Sequence, residues 1–541
     1  MEALLGQCFR TYDSPMTSTT PEVETGTAPA RARAILIALI LVAGVANINL
    51  AVANVALPDI GKDLDASSTQ LNLIAVGYSL GLAASVLYFG ALGDRHGRKR
   101  MLVFGMALSI PASLVAGLAP TIEVLFGARL VGGIAAGLAF PTTLAVITAL
   151  WSGPRRTRAI AAWSAFGGAI SALGPLMSGA LLEVFSWHAV FLVTLPLAVL
   201  ALAAAWRLVP TDTGDEAAVV DNLGGVVSIV MVGALVLAIN FAPNGDQRLQ
   251  VYILAVIAVV AGAGFVWRQL RVRVPLFDLR IAARRTFWVA AVGGLIVFGT
   301  LMGAMFIGQQ YMQNVLDYST LAAGATILPA AGAMVIVAPQ SAKLVQSMGS
   351  RFTLLSGCAF IVAGLVFAML TWDTHAHFWH VGLVYVLVGV GVGLAGTPAS
   401  QSLTGSVPVQ RAGMASSMSD LQRDLGGAIL QSTLGAILTA GYANQLRETI
   451  AASPQADQIT EQTETALTKS FSSAEVLAER YPQYADQIIG AARDAFVHGD
   501  NRAYGAAAAI VLAGAAIVFF FYPKHDGERA AMAEYAKQRS L

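Results

Sequence analysis

The amino-acid sequence predicts an all-α protein that crosses a membrane many times, on the strength of three observations: its composition, the spacing of its apolar runs, and the way its basic residues are sorted between them. Of the 541 residues, 56% are hydrophobic and only 12% are charged, whereas an ordinary globular domain carries about a quarter charged residues. Apolar segments recur at 35–57, 70–90, 101–119, 122–149, 159–182, 189–207, 224–241, 250–267, 287–308, 320–340, 352–371, 379–402, 412–440 and 503–522. Each comes near the ~20 residues a helix needs to cross a ~30 Å hydrocarbon layer, which makes about fourteen transmembrane helices.

Charge supports an even number of crossings. The loops on one side hold Arg95, Arg98, Lys99, Arg100, Arg155, Arg156, Arg158, Arg207, Arg268, Arg271, Arg273, Arg280, Arg284, Arg285, Lys343, Arg351 and Arg411, while the short loops on the other hold only Lys62 and Arg248. The basic side is cytoplasmic by the positive-inside rule, and both termini fall on it. Residues 1–34 read as a disordered cytoplasmic tail rather than a signal peptide, because they lack an apolar face. Residues 35–207 form an N-terminal six-helix bundle, 208–286 two inserted transmembrane helices with their flanking loops, and 287–523 a C-terminal six-helix bundle. Residues 524–541 form a cytoplasmic tail. The polar stretch 444–501 is a long outer loop whose periodicity suggests short amphipathic helices rather than an enzyme domain. Its basic residues leave the topology intact, since long loops translocate largely regardless of charge.

The halves echo one another in order: Leu92 and Gly97 match Leu344 and Gly349, LVG at 130–132 matches 387–389, GLA at 137–139 matches 393–395, and Arg158-Ala159 matches Arg411-Ala412. A repeated bundle in parallel orientation supports rocking about a central cavity.

Polar residues inside the spans are the candidate functional groups. In the first span, Asn47 and Asn54 share one helical stripe and Asn49 points nearly the opposite way; Gln309 and Gln313 are further candidates for a substrate cavity. Packing between helices is the alternative use for these amides. Arg129 in the fourth span needs a wet cavity or a partner, which makes it a coupling or gating candidate beside a purely structural ion pair. The thirteenth span holds Asp420, Arg423 and Asp424 on one face. They form either a proton-coupling site, where burial and a neighbouring like charge favour the protonated form of one carboxyl, or a structural triad docked on the loop around Asp94. His375, His377 and His380 sit in a short outer loop with interfacial aromatics and read as surface histidines rather than a metal site. Cys8 and Cys358 are too few for a disulfide framework.

The loop GALGDRHGRKR, Gly90 to Arg100, closely resembles the G-x-L-x-D-R-x-G-R-[RK]-[RK] signature of the major facilitator superfamily. RLVGGIAAG from Arg129 is similar to the family's R-x-x-Q-G-x-G-x-[AG], with Gly132 in place of glutamine. Gly174, Pro175 and Gly179 follow the antiporter element G-P-x-x-G-G, with Ser178 replacing one glycine, and SWHAVFLVTLP from Ser186 and PLFDLR from Pro275 resemble segments of its fourteen-span drug:proton antiporter branch. NINLAVANVALP resembles the end of that branch's first span, with Asn49 where an acid is usual. The resemblance implies that Gly90, Asp94, Arg95, Gly97 and Arg98 form a gating loop. It also implies a proton-coupled exporter of amphipathic small molecules in the bacterial cytoplasmic (inner) membrane, working as a monomer with protons, substrate and the lipid bilayer as its partners. No cofactor, metal, nucleic acid or enzymatic activity is expected. A dedicated exporter of a metabolite or lipid is the alternative, and a non-transporting sensor the least favoured. No phosphate-binding G-x-x-x-x-G-K-[ST] loop is present to make an ATP-driven pump.

Overall fold

The computed structural model describes residues 28–537 apart from 65, 67, 212–219, 243–246, 409–410 and 454–458. Most of the tail predicted at 1–34 therefore lies outside the described residues. The chain is helical throughout, with no strand among the described residues. In order, α1 (Ala32–Asp63), α2 (Ser68–His96), α3 (Arg98–Gly117), α4 (Ile122–Leu150) and α5 (Gly153–Leu182) are followed by the short α6 (His188–Leu192) and α7 (Thr194–Leu208). Next come α8 (Asn222–Phe241), α9 (Arg248–Arg271), α10 (Leu279–Ala282), α11 (Arg285–Asn314) and α12 (Thr320–Ala325). The chain continues through α13 (Leu328–Thr371), α14 (Phe378–Gly405), α15 (Ala412–Ala452), α16 (Glu461–Lys469), α17 (Phe471–Arg480), α18 (Ala485–Phe521) and α19 (His525–Lys537).

Among the described residues, eleven helical stretches are long and apolar enough to cross a membrane. One of them, Leu321–Thr371, runs for 51 residues and covers two of the predicted spans. It bends at Gly349, whose φ of 86° is a conformation that a Cβ would disfavour. Gly97, at the matching place in the first half, has φ 95° and separates α2 from α3. Other matched positions make matched contacts. A methyl group on Gly105 would run into the Ala135 carbonyl and Ala139, and one on Gly357 into the Gly391 carbonyl and Ala395. Gly133 likewise abuts the Tyr78 carbonyl, and Gly389 the Ala330 carbonyl. Small residues at these crossings let backbones approach closely, the packing that lipid-embedded helices rely on.

Separate cores form in the two halves. Leu39, Phe140 and Trp163, with Ile60, Trp187 and Phe191 nearby, are buried among α1–α7, and Phe287, Tyr311, Tyr385 and Tyr504 among α11–α18. The halves meet where α2 packs on α15 and where Ala161 and Ala165 of α5 face Ala338 and Ala342 of α13. The outlying α9 exposes Leu249, Val256, Val259 and Trp267, an apolar surface suited to lipid.

The stretch 444–501 differs from the sequence expectation. Helices α15 and α18 run well past the predicted spans, because their facing sides stay apolar beyond the membrane-length stretch. Leu438, Tyr442 and Leu446 belong to one buried cluster with Ala492, Ala495 and Phe496. Phe471 and Ala474 of α17 join that cluster, and the Tyr442 hydroxyl donates to the Leu467 carbonyl at the end of α16.

Candidate functional site

The signature loop joins the halves at the end that carries the basic loops. Asp94, in the last turn of α2, accepts the Gly413 N–H on both carboxylate oxygens at 2.9 and 3.0 Å and pairs with Arg98 at 3.1 Å. Gly413 lies in the first turn of α15, so the carboxylate sits at the positive end of a helix from the opposite half. Backbone meets backbone here: a side chain on Gly90 would strike Ser417 and the Gly413 carbonyl, and one on Gly413 would strike Gly90 and Asp94. A turn further along, Ser417 donates its hydroxyl to the Val86 carbonyl at 2.8 Å. Arg95 is half-buried on the same turn as Asp94.

Sequence reasoning missed the groups that tie the inserted helices to this joint. Asp278 N-caps α10, pairs with Arg411 at 3.1 Å, and donates its own N–H to the Met414 sulfur. The Phe277 N–H reaches Gln269, which also donates to Asp221 at the start of α8. Asp221 is fully covered and pairs with Arg268 at 2.7 Å. Burial alone would raise its proton affinity, but hydrogen bonds from Arg268, the Gly224 N–H and Gln269, with the charge of Arg268, hold its carboxyl below the usual carboxylate range. The available signal was an acid, Asp278, alone among five arginines in the 271–285 segment.

Deeper in the first half, the two described asparagines separate as the helical stripes require. Asn47 donates to the Gly167 carbonyl of α5 at 3.1 Å, a packing contact. Asn49 accepts from Ser113 of α3 and Thr194 of α7, while its backbone carbonyl accepts from Arg129 at 2.5 Å. Arg129 is 2% exposed, reaches the Ile74 carbonyl, and lies over the Tyr78 and Phe191 rings, yet its Nη2 has no partner. Asn49, Tyr78, Ser113, Arg129 and Phe191 line a cavity of about 10 Å³, room for one water molecule. The side chain of Asn54 lies outside the described residues. Gln309 is half-buried, and Gln313 is exposed in the last turn of α11.

The α15 triad faces this group across the interface. Arg423 stacks over Phe140 of α4 at 4.3 Å, and its Nε lies 3.8 Å from Asp424. Asp420 is 1% exposed; one oxygen of each acid, and both amide atoms of the fully buried Gln422, have no hydrogen-bond partner. Tyr78 is an electrostatic neighbour of both Arg129 and Asp424, so it stands between the two candidate coupling groups. An aromatic residue in an apolar helix carried no signal of that position. Docking of the triad on the Asp94 loop is corrected by the geometry. Gly413 makes that contact, about two helical turns before Asp420.

At the other end of the interface, Gly174 packs on Ala51, and Ser178 donates to the Val52 carbonyl, fixing α5 on α1. Gly179 faces Leu321, and Gly324 faces Pro175 and Leu176, so the antiporter element also touches the second half. His377 and His380 serve α14, with His380 Nδ1 accepting the His377 N–H.

A family model described as Major Facilitator Superfamily matches residues 39–430. The chain is similar to the multidrug efflux pump LfrA of Mycolicibacterium smegmatis, 32% identical over 91% of this chain and 96% of that protein. It is also similar to the multidrug resistance protein Stp of Mycobacterium tuberculosis, 33% identical over 72% of each chain, and to the methyl viologen resistance protein SmvA of Salmonella typhimurium, 29% identical over 90% of this chain and 98% of that protein. With matched halves joined at Asp94 and similarity along most of its length, the chain belongs to the Major Facilitator Superfamily, as a multi-pass membrane transporter and not an enzyme.

Proposed function

We propose that this transporter is a proton-coupled antiporter that exports amphipathic small molecules, drugs among them, across the bacterial cytoplasmic membrane by alternating access. Fourteen crossings follow if Leu321–Thr371 counts twice and the less apolar α5 and α15 are added to the eleven apolar stretches. Six-helix bundles at 35–207 and 287–523 then flank the inserted pair at 208–286, both termini are cytoplasmic, and the chain works as a monomer without a cofactor. Drug-like substrates are supported by the functions of the relatives, multidrug efflux and methyl viologen resistance.

The observation that carries the coupling is the pair of incompletely partnered acids, Asp420 and Asp424, with Asp424 an electrostatic neighbour of Tyr78, which in turn neighbours Arg129 in the other half. Inside a membrane, an ionised carboxylate must have a partner or take up a proton. A movement of one half against the other changes the partners, and so changes which acid holds a proton. The Asp94 contact is the latch of that movement, since a charge-assisted bond at a helix end breaks with a small rigid-body shift.

The test is substrate uptake into inside-out vesicles with an imposed pH gradient. Asp420→Asn or Asp424→Asn is expected to abolish gradient-driven uptake while substrate binding persists. Uptake indifferent to the gradient in the wild type would overturn proton antiport. Binding and folding lost together, and restored by also replacing Arg423, would assign the acids a structural role. One feature, the neutral Asn49, favours a dedicated exporter of a metabolite or lipid, and competition between cationic, neutral and lipidic compounds in the same vesicles separates the two readings.

A further inference from the structure

Outside the site described above, the second half buries another carboxylate. Asp500 of α18 is 1% exposed, and neither of its oxygens has a hydrogen-bond partner. It lies 21 residues before Phe521, the end of α18, a rise of about 32 Å at 1.5 Å per residue. That is about one hydrocarbon thickness, which puts Asp500 at the outer boundary of the membrane, beneath the extension formed by α15, α16, α17 and the start of α18.

The side chains nearest it are aromatic, and the titratable groups around them are Asp373, an electrostatic neighbour of Tyr311, and His498, two residues earlier on α18, whose Nε2 has no hydrogen-bond partner. Tyr311 of α11, Tyr385 of α14 and Tyr504 of α18 are its electrostatic neighbours. Trp372, at the end of α13, stacks on Tyr311 with centroids 4.7 Å apart and meets Tyr504 edge-on at 5.4 Å. Tyr311 and Tyr504 donate their hydroxyls to the carbonyls of Asp373 and Ala304, but the Tyr385 hydroxyl and Trp372 Nε1 have no partner. On the remaining sides, α15 presents Gly441 against Gly499, with the Tyr442 hydroxyl engaged by Leu467, and α17 presents Phe471. Among the described residues no cation pairs with Asp500: Arg493 is bound to Asp317, and Arg502 is exposed.

A carboxylate kept for structure would cap a helix or hold a cation, and this one does neither. Ionised in this setting, it would carry an uncompensated charge in an apolar enclosure, a cost that proteins avoid by keeping the proton. Tyr311, Tyr385 and Tyr504 are packed to 1% exposure or less, which leaves no space for an organic cation. We propose that Asp500 is a proton-binding site opening to the outer face of the membrane, occupied whenever the outer end of the C-terminal half is packed as it is here. When that end loosens, the carboxyl O–H bond breaks and the proton passes to outer water; repacking takes one proton back from the same side. External pH therefore controls the packing of this end without net proton transport. The inference rests on the membrane orientation proposed above and is independent of antiport.

Hydrogen exchange of the purified full chain, corrected for the intrinsic effect of pH, reads this directly. An exposed aspartate ionises near pH 3.9, so at neutral pH opening releases one proton and the opening equilibrium rises about tenfold per pH unit. In the wild type, protection of residues 495–505 is expected to fall by that factor, while the middle of α4 shows no such trend. Asp500→Asn, a permanently neutral isostere, is expected to fold, bind substrate and show no such slope, and Asp500→Glu to retain it. A wild-type slope of zero overturns the proposal even if Asp500→Asn fails to fold, as does an unchanged slope in Asp500→Asn. Loss of substrate binding in a folded Asp500→Asn overturns it too, by making the carboxylate a substrate contact. Absence of gradient-driven uptake in the wild type sinks antiport and leaves this slope untouched.

Discussion

Replacing Asp94 by asparagine isolates the charge of the proposed cytoplasmic latch from its shape. The amide oxygen still accepts the Gly413 N–H, but the ion pair with Arg98 and the negative charge at the start of α15 are lost. Hydrogen bonds to a charged group are worth about 1.5–3 kcal/mol, against about 0.5–1.5 for neutral ones, and the helix-end term adds about 0.3–1 kcal/mol. The closed cytoplasmic end should therefore lose about 1.5–2.5 kcal/mol, a factor of roughly 10–60 in the equilibrium between closed and open. Insertion is unaffected, because no apolar contact changes. Two measurements check this: vesicle uptake normalised to membrane expression, and labelling by an impermeant thiol reagent of a cysteine placed at the cytoplasmic end of α15 in a background without Cys8 and Cys358. Expected are normal expression, uptake reduced by about an order of magnitude, and faster labelling. Full uptake with unchanged labelling would reduce Asp94 to a topological marker and refute the reasoning.

Asn49→Asp places a carboxylate beside Arg129, whose Nη2 has no partner, so the new charge is expected to pair internally and leave the preference for cations within about a factor of three. A large shift toward cationic compounds in a competition assay would show that Arg129 does not neutralise it. Asp221→Asn breaks the covered pair with the partly exposed Arg268 and is expected to destabilise the α8–α9 pair by about 1–3 kcal/mol, read as a lower Tm in detergent. Because the Asp221 carboxyl titrates below its ordinary value in the folded protein, its contribution is complete above about pH 4 and is lost only as pH falls through the lower folded value. The Tm difference should therefore be constant across neutral pH and shrink only in strong acid, and equal Tm values at pH 7 would refute the assignment.

What the sequence made legible was whatever stands out against oil. The turn from Gly90 to Arg100, Arg129 and the Asp420–Asp424 cluster are conspicuous because charge is scarce in apolar runs. Their partners are not, since the Gly413 N–H and the carbonyls of Asn49 and Ile74 are backbone groups that no side-chain pattern reports. Tyr78 was passed over because an aromatic residue in a membrane helix is unremarked until its neighbours are known. Asp500 was hidden for the opposite reason. Composition assigns it to the polar outer stretch 444–501, and it is buried only by the packing of α18 against α15 and the aromatic side chains of α11 and α14. The Asp221, Gln269 and Asp278 network joins three loop-end residues far apart in sequence, and no periodicity links such positions.

In the proposed cycle, the repeat also explains why a single polar latch is enough. Gly97 and Gly349 make the same backbone bend, but the anions beside the two bends meet the starts of different helices. In the first copy the acid Asp94 reaches across to Gly413 of the other half. In the second copy Gln346 occupies the place of Asp94, and the anion comes instead from Glu528 of α19, which accepts the Ser350 N–H at 2.9 Å and the Tyr522 hydroxyl at 3.1 Å. Arg529 donates to the Gln346 carbonyl, holding α19 on its own half. The α5–α13 contact that mirrors α2–α15 is made of Ala161, Ala165, Ala338 and Ala342, small apolar surfaces with no bond that must be broken outright. A rigid-body movement of the halves thus leaves the Glu528 joint intact and lets the alanine faces separate gradually. It must break the Asp94 contact all at once, which makes that contact, of the two joints, the one able to hold a discrete state.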